Sequence, residues 1–125
     1  MTENELSRIV VDSAFKIHTT LGPGLLESVY EVVLAHELER RGCKVICQQA
    51  IPVVYEEVKL DLGFSADLIV NRKVVIEVKS VEAVAPVHAK QLRTYLRLMD
   101  LRLGLLINFN VNLIKDGIKR VVNNL

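Results

Sequence analysis

The chain is 125 residues long and half apolar, enough to fill one hydrophobic core, which points to a single domain over residues 1–125. Sixteen basic and fifteen acidic side chains leave a net charge of +1, so there is no overall polyanion-binding charge, although a local basic patch can coexist with a neutral total. The acidic start Met1-Thr2-Glu3-Asn4-Glu5 lacks the features of a secretory leader, and no run approaches the roughly 18 uninterrupted apolar residues of a membrane helix, so a cytoplasmic protein without membrane association is expected.

Residues 4–20 repeat Leu6, Ile9, Val10, Ala14 and Ile17 at three- and four-residue spacing, the stripe of an amphipathic helix that Gly22-Pro23-Gly24 stops. A second helical pattern covers residues 25–41, with Leu26, Val29, Val33 and Leu38 near one face and Gly42 as a left-handed C-terminal cap. The pattern then changes to β-branched runs. One strand lies within residues 44–55, interrupted or ended by Pro52, and two more cover residues 64–70 and 74–79. Pro86 suits the first turn of a third helix over residues 87–100. Residues 103–109 form an apolar run of strand length, and Asp116-Gly117 between residues 111–115 and 118–122 reads as a hairpin signal. The order is α-α-β-β-β-α-β-β, an α/β chain with a sheet at its centre.

Two of these strands segregate their side chains. Ala66, Leu68, Val70, Val74, Ile76 and Val78 share one face, whereas Ser65, Asp67, Val75, Glu77 and Lys79 share the other. A three-residue loop, Asn71-Arg72-Lys73, pairs Val70 with Val74 and sets Asp67 opposite Glu77. A two-residue loop would turn Asp67 into the aliphatic face, at several kcal/mol. Carboxylates held ~5 Å apart at their Cβ atoms repel, and a hard divalent cation with oxygen ligands relieves that repulsion. Lys79 projects to the same side, where it would orient a water or stabilise charge growing on a phosphate. Taken alone, Glu-x-Lys on a hairpin also describes an ordinary solvent-facing ion pair.

Asp67 and Glu77-Val78-Lys79, on adjacent strands after a helix, resemble the signature of the PD-(D/E)XK nuclease superfamily, with Ala66 standing where the name-giving proline would be. Gly24-Leu25-Leu26-Glu27-Ser28-Val29-Tyr30 reads as G-x-x-E-x-x-Y, and together with Gly104-Leu105-Leu106-Ile107-Asn108-Phe109 it is similar to the GxxExxY family within that superfamily. Gln91 and Tyr95, spaced i, i+4 after the Glu-x-Lys strand, resemble the extra motif of RecB-type nucleases, with His88 on the same stripe. The resemblance implies a restriction-endonuclease-like core, a central mixed sheet flanked by helices. It implies Mg²⁺ or Mn²⁺ held by Asp67, Glu77, the Val78 carbonyl and Glu27, with Lys79 and Gln91 completing the catalytic set. Tyr30, His88 and Tyr95 would contact substrate, and the reaction would be hydrolysis of phosphodiester bonds in DNA or RNA. The competing reading is a catalytically silent nucleic-acid-binding or protein-interaction module that keeps the fold, its specificity supplied by a homodimer or a protein partner. Read without the family, Glu27 and Tyr30 are helix N-terminal electrostatics and a half-buried aromatic, and the stripe on the third helix is solvent-exposed.

Other signals carry less. Cys43 and Cys47 lack the second Cys or His pair of a structural zinc site. His18 and His36 sit on helices with no matching nucleophile, and Gly22-Pro23-Gly24 lacks the lysine and preceding strand of a phosphate loop. Arg40, Arg41 and Lys44, and separately Lys90, Arg93, Arg97 and Arg102, read as solvated faces that would also serve as phosphate contacts.

Overall fold

The computed structural model describes residues 1–60 and 64–125. Helix α1 (Glu3–Leu21) opens on a capping box, the Thr2 hydroxyl accepting from the Glu5 N–H at 3.1 Å while the Glu5 carboxylate accepts from the Thr2 N–H at 3.0 Å. Its buried stripe runs through Leu6, Val10, Ala14 and Ile17, and Gly22 ends it with φ +69.

Helix α2 (Glu27–Arg40) follows, but not on the expected face. Leu26 is its N-cap and 73% exposed, Val29 is also exposed, and the buried residues include Tyr30, Leu34, Ala35 and Leu38. The rotation is set by Tyr30. Its ring stacks on Phe109 with centroids 4.5 Å apart, and its hydroxyl donates to the Gly22 carbonyl at 2.5 Å, so the aromatic ties the Gly-Pro-Gly corner to the core. At the other end of the same face, Glu37 pairs with Lys16 of α1 at 3.1 Å and with Arg41 at 3.0 Å. Hydrogen bonds from Lys16 and then Arg41 hold its carboxyl down to about 2.

Strand β1 (Val45–Ala50) stops before Pro52. The next segment, read above as the tail of that strand, instead forms a separate hairpin of β2 (Val53–Tyr55) and β3 (Val58–Leu60). Glu56 at φ 55 makes its turn. β4 (Ser65–Val70) and β5 (Val74–Lys79) then pair antiparallel, α3 (Pro86–Met99) crosses over, and β6 (Leu103–Asn108) lies parallel to β5. β7 (Ile118–Val122) closes a five-stranded sheet in the order β1-β4-β5-β6-β7, mixed because the β5–β6 pair alone is parallel.

Helices α1 and α2 cover one face of the sheet over Leu68, Val70, Val74, Ile76, Leu105 and Ile107. α3 covers the other over Ile69, Val75, Leu106 and Val121. The face read as polar is therefore apolar beneath α3, and its polar residues gather at one end. No hairpin joins residues 111–115 to β7. Ile114–Gly117 is a 3₁₀ turn with Ile114 buried, and a Cβ on Gly117 would overlap the Asn108 carbonyl oxygen. Glycine serves a close backbone approach there, not a hairpin turn. Among the described residues no helix is long and apolar enough to cross a membrane, and both cysteines are free, Cys43 buried and Cys47 exposed.

Candidate metal site at the ends of β4 and β5

The loop after β4 has Asn71 at φ 49 and Arg72 at φ 56, and it sets Val70 against Val74 and Leu68 against Ile76. Continued by one residue, that register carries Asp67 to Glu77. There the carboxylates replace the backbone ladder. The Val78 N–H donates to Asp67 Oδ2 at 2.8 Å, and the Asp67 N–H makes a longer contact of 3.4 Å with Glu77 Oε1. The two acids are held by each other's strands, so their separation does not depend on flexible side chains.

Glu77 is only 6% exposed. Burial first, and then the charge of Asp67, pushes its carboxyl up to about 9, with Lys79 a small counterweight. In the metal-free protein Glu77 therefore keeps its proton at neutral pH. A second positive charge at this point would let it ionise, and two carboxylates facing one another are donors of the kind a hard divalent cation takes. Among the described residues no three Asp, Glu, His or Cys side chains converge at ligand spacing. The carboxylate donors on hand are therefore two, Asp67 and Glu77.

The remaining expected residues divide. Lys79 is half-buried next to Glu77 in β5 and pairs in register with Asn108 of β6. Tyr95 is buried on α3 with its ring tilted against Phe64, centroids 6.3 Å apart, and its hydroxyl is pushed up by burial and then by the charges of Glu77 and Asp67. Gln91 is half-buried one turn earlier. His88 accepts the Ala85 N–H through Nδ1 at 3.2 Å and thereby caps α3. Val78 meets Asp67 through its amide.

Tyr30, expected to contact substrate, is not placed to do so, whereas Glu27 is exposed and its Oε1 accepts from the Ser80 N–H at 3.2 Å. It braces the chain just beyond Lys79, helped by the Ser80 hydroxyl donating to the Leu25 carbonyl at 2.6 Å. Tyr30 is completely buried. With its ring on Phe109 and its hydroxyl on the Gly22 carbonyl, it holds α2 in place and has no surface for a substrate.

Sequence reasoning missed Glu31 and Gln48. Gln48 Nε2 donates to Glu31 Oε1 at 2.6 Å and reaches Asp67 Oδ1 at 3.4 Å, while Gln48 Oε1 accepts from the Ser65 hydroxyl at 2.9 Å. Burial raises the Glu31 carboxyl, the Gln48 hydrogen bond opposes that, and Asp67 raises it further. A signal was present for each. Glu31 lies one helical turn beyond Glu27, and Gln48 falls opposite Asp67 once Cys47 pairs with Leu68 and Gln49 with Ala66. Asn108 is a further buried polar residue, its amide donating to the Val81 carbonyl at 2.9 Å and accepting the Val81 N–H at 3.1 Å, which fixes the segment after β5.

No curated protein and no solved structure matches this chain. A family model described as the PD-(D/E)XK nuclease superfamily matches residues 4–121, nearly the whole length. That span takes in both helices of the first layer, the paired carboxylates, Glu-x-Lys and α3. The chain belongs to the PD-(D/E)XK nuclease superfamily.

Proposed function

We propose that this chain is a divalent-metal-dependent nuclease of the GxxExxY kind, a single cytoplasmic domain that hydrolyses phosphodiester bonds of DNA or RNA. The observation that carries the reading is Glu77 buried against Asp67, the two acids set by the register of β4 and β5 and by the Val78 N–H donating to Asp67 Oδ2 at 2.8 Å. Asp67 and Glu77 hold Mg²⁺ or Mn²⁺, and the Val78 carbonyl completes the protein's share of the donors. When bound, the cation lowers the pKa of a coordinated water and offsets charge on the phosphate.

The chain's own residues do the rest. Lys79, next to the pair on the same strand face, orients the attacking water and stabilises the charge that grows on the phosphate oxygens. Gln48 and Glu31 keep Asp67 aimed, and buried Tyr95 and neighbouring Gln91 wall the site from the α3 side, limiting water around the carboxylates.

The test is incubation of the pure protein with labelled single- and double-stranded DNA and RNA, with and without Mg²⁺ or Mn²⁺, alongside Asp67→Asn and Lys79→Ala. Metal-dependent cleavage that drops by about 10²-fold or more in each variant is expected. Absence of cleavage in wild type, or cleavage that survives both substitutions, overturns the reading.

A further inference from the structure

Helix α3 separates two surfaces of different character. His88, Gln91 and Tyr95 share one side of it, where Tyr95 belongs to the apolar cluster with Ala66, Ile69 and Val75 of β4 and β5. Lys90, Arg93 and Arg97 lie roughly 150° round the helix from them and are all exposed. Across a groove from these three stands Lys119 of β7, the edge strand of the sheet, with Val121 at its base, while the Arg120 side chain turns to the other face and donates to Asn4 Oδ1 of α1 at 2.7 Å. Among the described residues no carboxylate lines the groove. Among the described residues every ion pair is made by Glu37, on the far side of the sheet, so Lys90, Arg93, Arg97 and Lys119 take part in none of them.

A solvated helix face accounts for Lys90, Arg93 and Arg97 taken alone. It does not account for Lys119 on a second element facing them, because like charges across a groove repel and an ordinary surface intersperses its signs. In a chain whose net charge is +1, this concentration is local and must be balanced elsewhere. Part of the balance is the acidic end of the sheet, with Glu27, Glu31 and Asp67. The groove shares Pro86, Ala89 and Lys119 with a neighbouring hollow that is bordered by Asn108, the residue in register with Lys79, and by two acids, Glu82 and Asp116, so the cationic stretch itself is confined to the outer side of α3.

We propose that the α3–β7 groove holds the phosphate backbone of the nucleic-acid strand at a distance from the bond that is cut. The identity of the polyanion rests on the nuclease reading; the polyanion site itself does not. Lysine and arginine contacts to phosphate position a strand without reading its bases. No aromatic side chain lines the groove, so binding there is electrostatic, tolerant of sequence and steeply dependent on salt.

The experiment measures fluorescence anisotropy of labelled single- and double-stranded oligonucleotides with the full chain in EDTA, across a salt titration, for wild type and for Lys90→Ala/Arg93→Ala/Arg97→Ala. EDTA removes metal-dependent cleavage from the readout, and the metal-dependent melting shift of the triple variant serves as the check that the fold and the acidic site persist. The variant is expected to bind roughly tenfold more weakly or worse, with the slope of log affinity against log salt shallower by about 2 to 3, at ~0.7 to 0.9 per lost phosphate contact. Unchanged affinity and slope overturn the proposal, as does groove-dependent binding of polyglutamate by a protein that ignores oligonucleotides. Groove-dependent oligonucleotide binding by a protein that never cleaves sinks the hydrolysis reading and keeps the groove. Metal-dependent cleavage with unaltered binding in the triple variant does the reverse.

Discussion

Gln48 holds a left-handed backbone, φ 51, in the middle of strand β1, a conformation that costs a residue with a Cβ on the order of 1 kcal/mol. In return its amide bridges Glu31 and Asp67 while the Ser65 hydroxyl fixes its other end. Gln48→Gly relieves the strain and removes the bridge in one step. The expected outcome is a melting temperature unchanged or slightly raised without metal, and a divalent-cation affinity lower by about 10-fold or more, read from the metal-dependent melting shift. Wild-type metal affinity in that variant would make Gln48 an ordinary surface glutamine. The contrast between Gln48 and Asp67 shows what the sequence makes readable. Asp67 opposite Glu77 follows from two local facts, the two-residue period of a strand and the length of the loop after Val70. Gln48 and Glu31 depend on the register of β1 and on how α2 lies over the sheet, and neither is local. Glu27 was readable from its motif, and at the start of α2 its carboxylate accepts from the Ser80 N–H.

The same division holds for whole elements. Helix α3 was readable because Pro86 occupies its first turn and its apolar residues recur at helical spacing. The rotation of α2 was not, since it is decided by Tyr30 finding Phe109, a residue 79 positions later in a different element. The last hairpin was misread because Gly117 has a packing reason that looks like a turn reason in sequence. Gly104 makes a similar contact that can be tested. A Cβ there would come within 2.9 Å of the Leu92 side chain, so α3 sits directly on β6 at that point. Gly104→Val is expected to push α3 outward and cost about 1 to 3 kcal/mol in urea denaturation. Because α3 also carries Gln91 and Tyr95, cleavage should fall further than the loss of folded protein explains. A variant with wild-type stability would mean that Leu92 moves aside freely.

For the whole molecule, two buried glutamates pull the pH dependence of stability in opposite directions. Glu37 is held down to about 2 by Lys16 and Arg41. Its contribution is complete above the unfolded value of 4.5 and disappears as pH falls towards 2. Glu77 is pushed up to about 9 by burial and by Asp67. The unfolded chain releases this proton near 4.5 while the folded chain retains it, so each pH unit between 4.5 and about 9 lowers stability, by at most about 1.4 kcal/mol. These opposing limbs place the maximum for the metal-free protein on the acidic side of neutrality, near pH 5. A divalent cation at Asp67 and Glu77 displaces the proton, so its stabilising effect must grow as pH rises. Glu77→Gln carries no titrating proton and can still donate a hydrogen bond to Asp67. The variant should therefore be more stable than wild type at pH 8 in EDTA, should lose the descending limb, and should show no melting shift with Mg²⁺. The measurement is thermal unfolding of both proteins from pH 3 to 9 with EDTA and with millimolar Mg²⁺. If wild type loses no more stability than Glu77→Gln between pH 5 and 8 in EDTA, the burial of an acid waiting for its counter-ion is wrong. The strongest physical ground for a cation between β4 and β5 would then be gone.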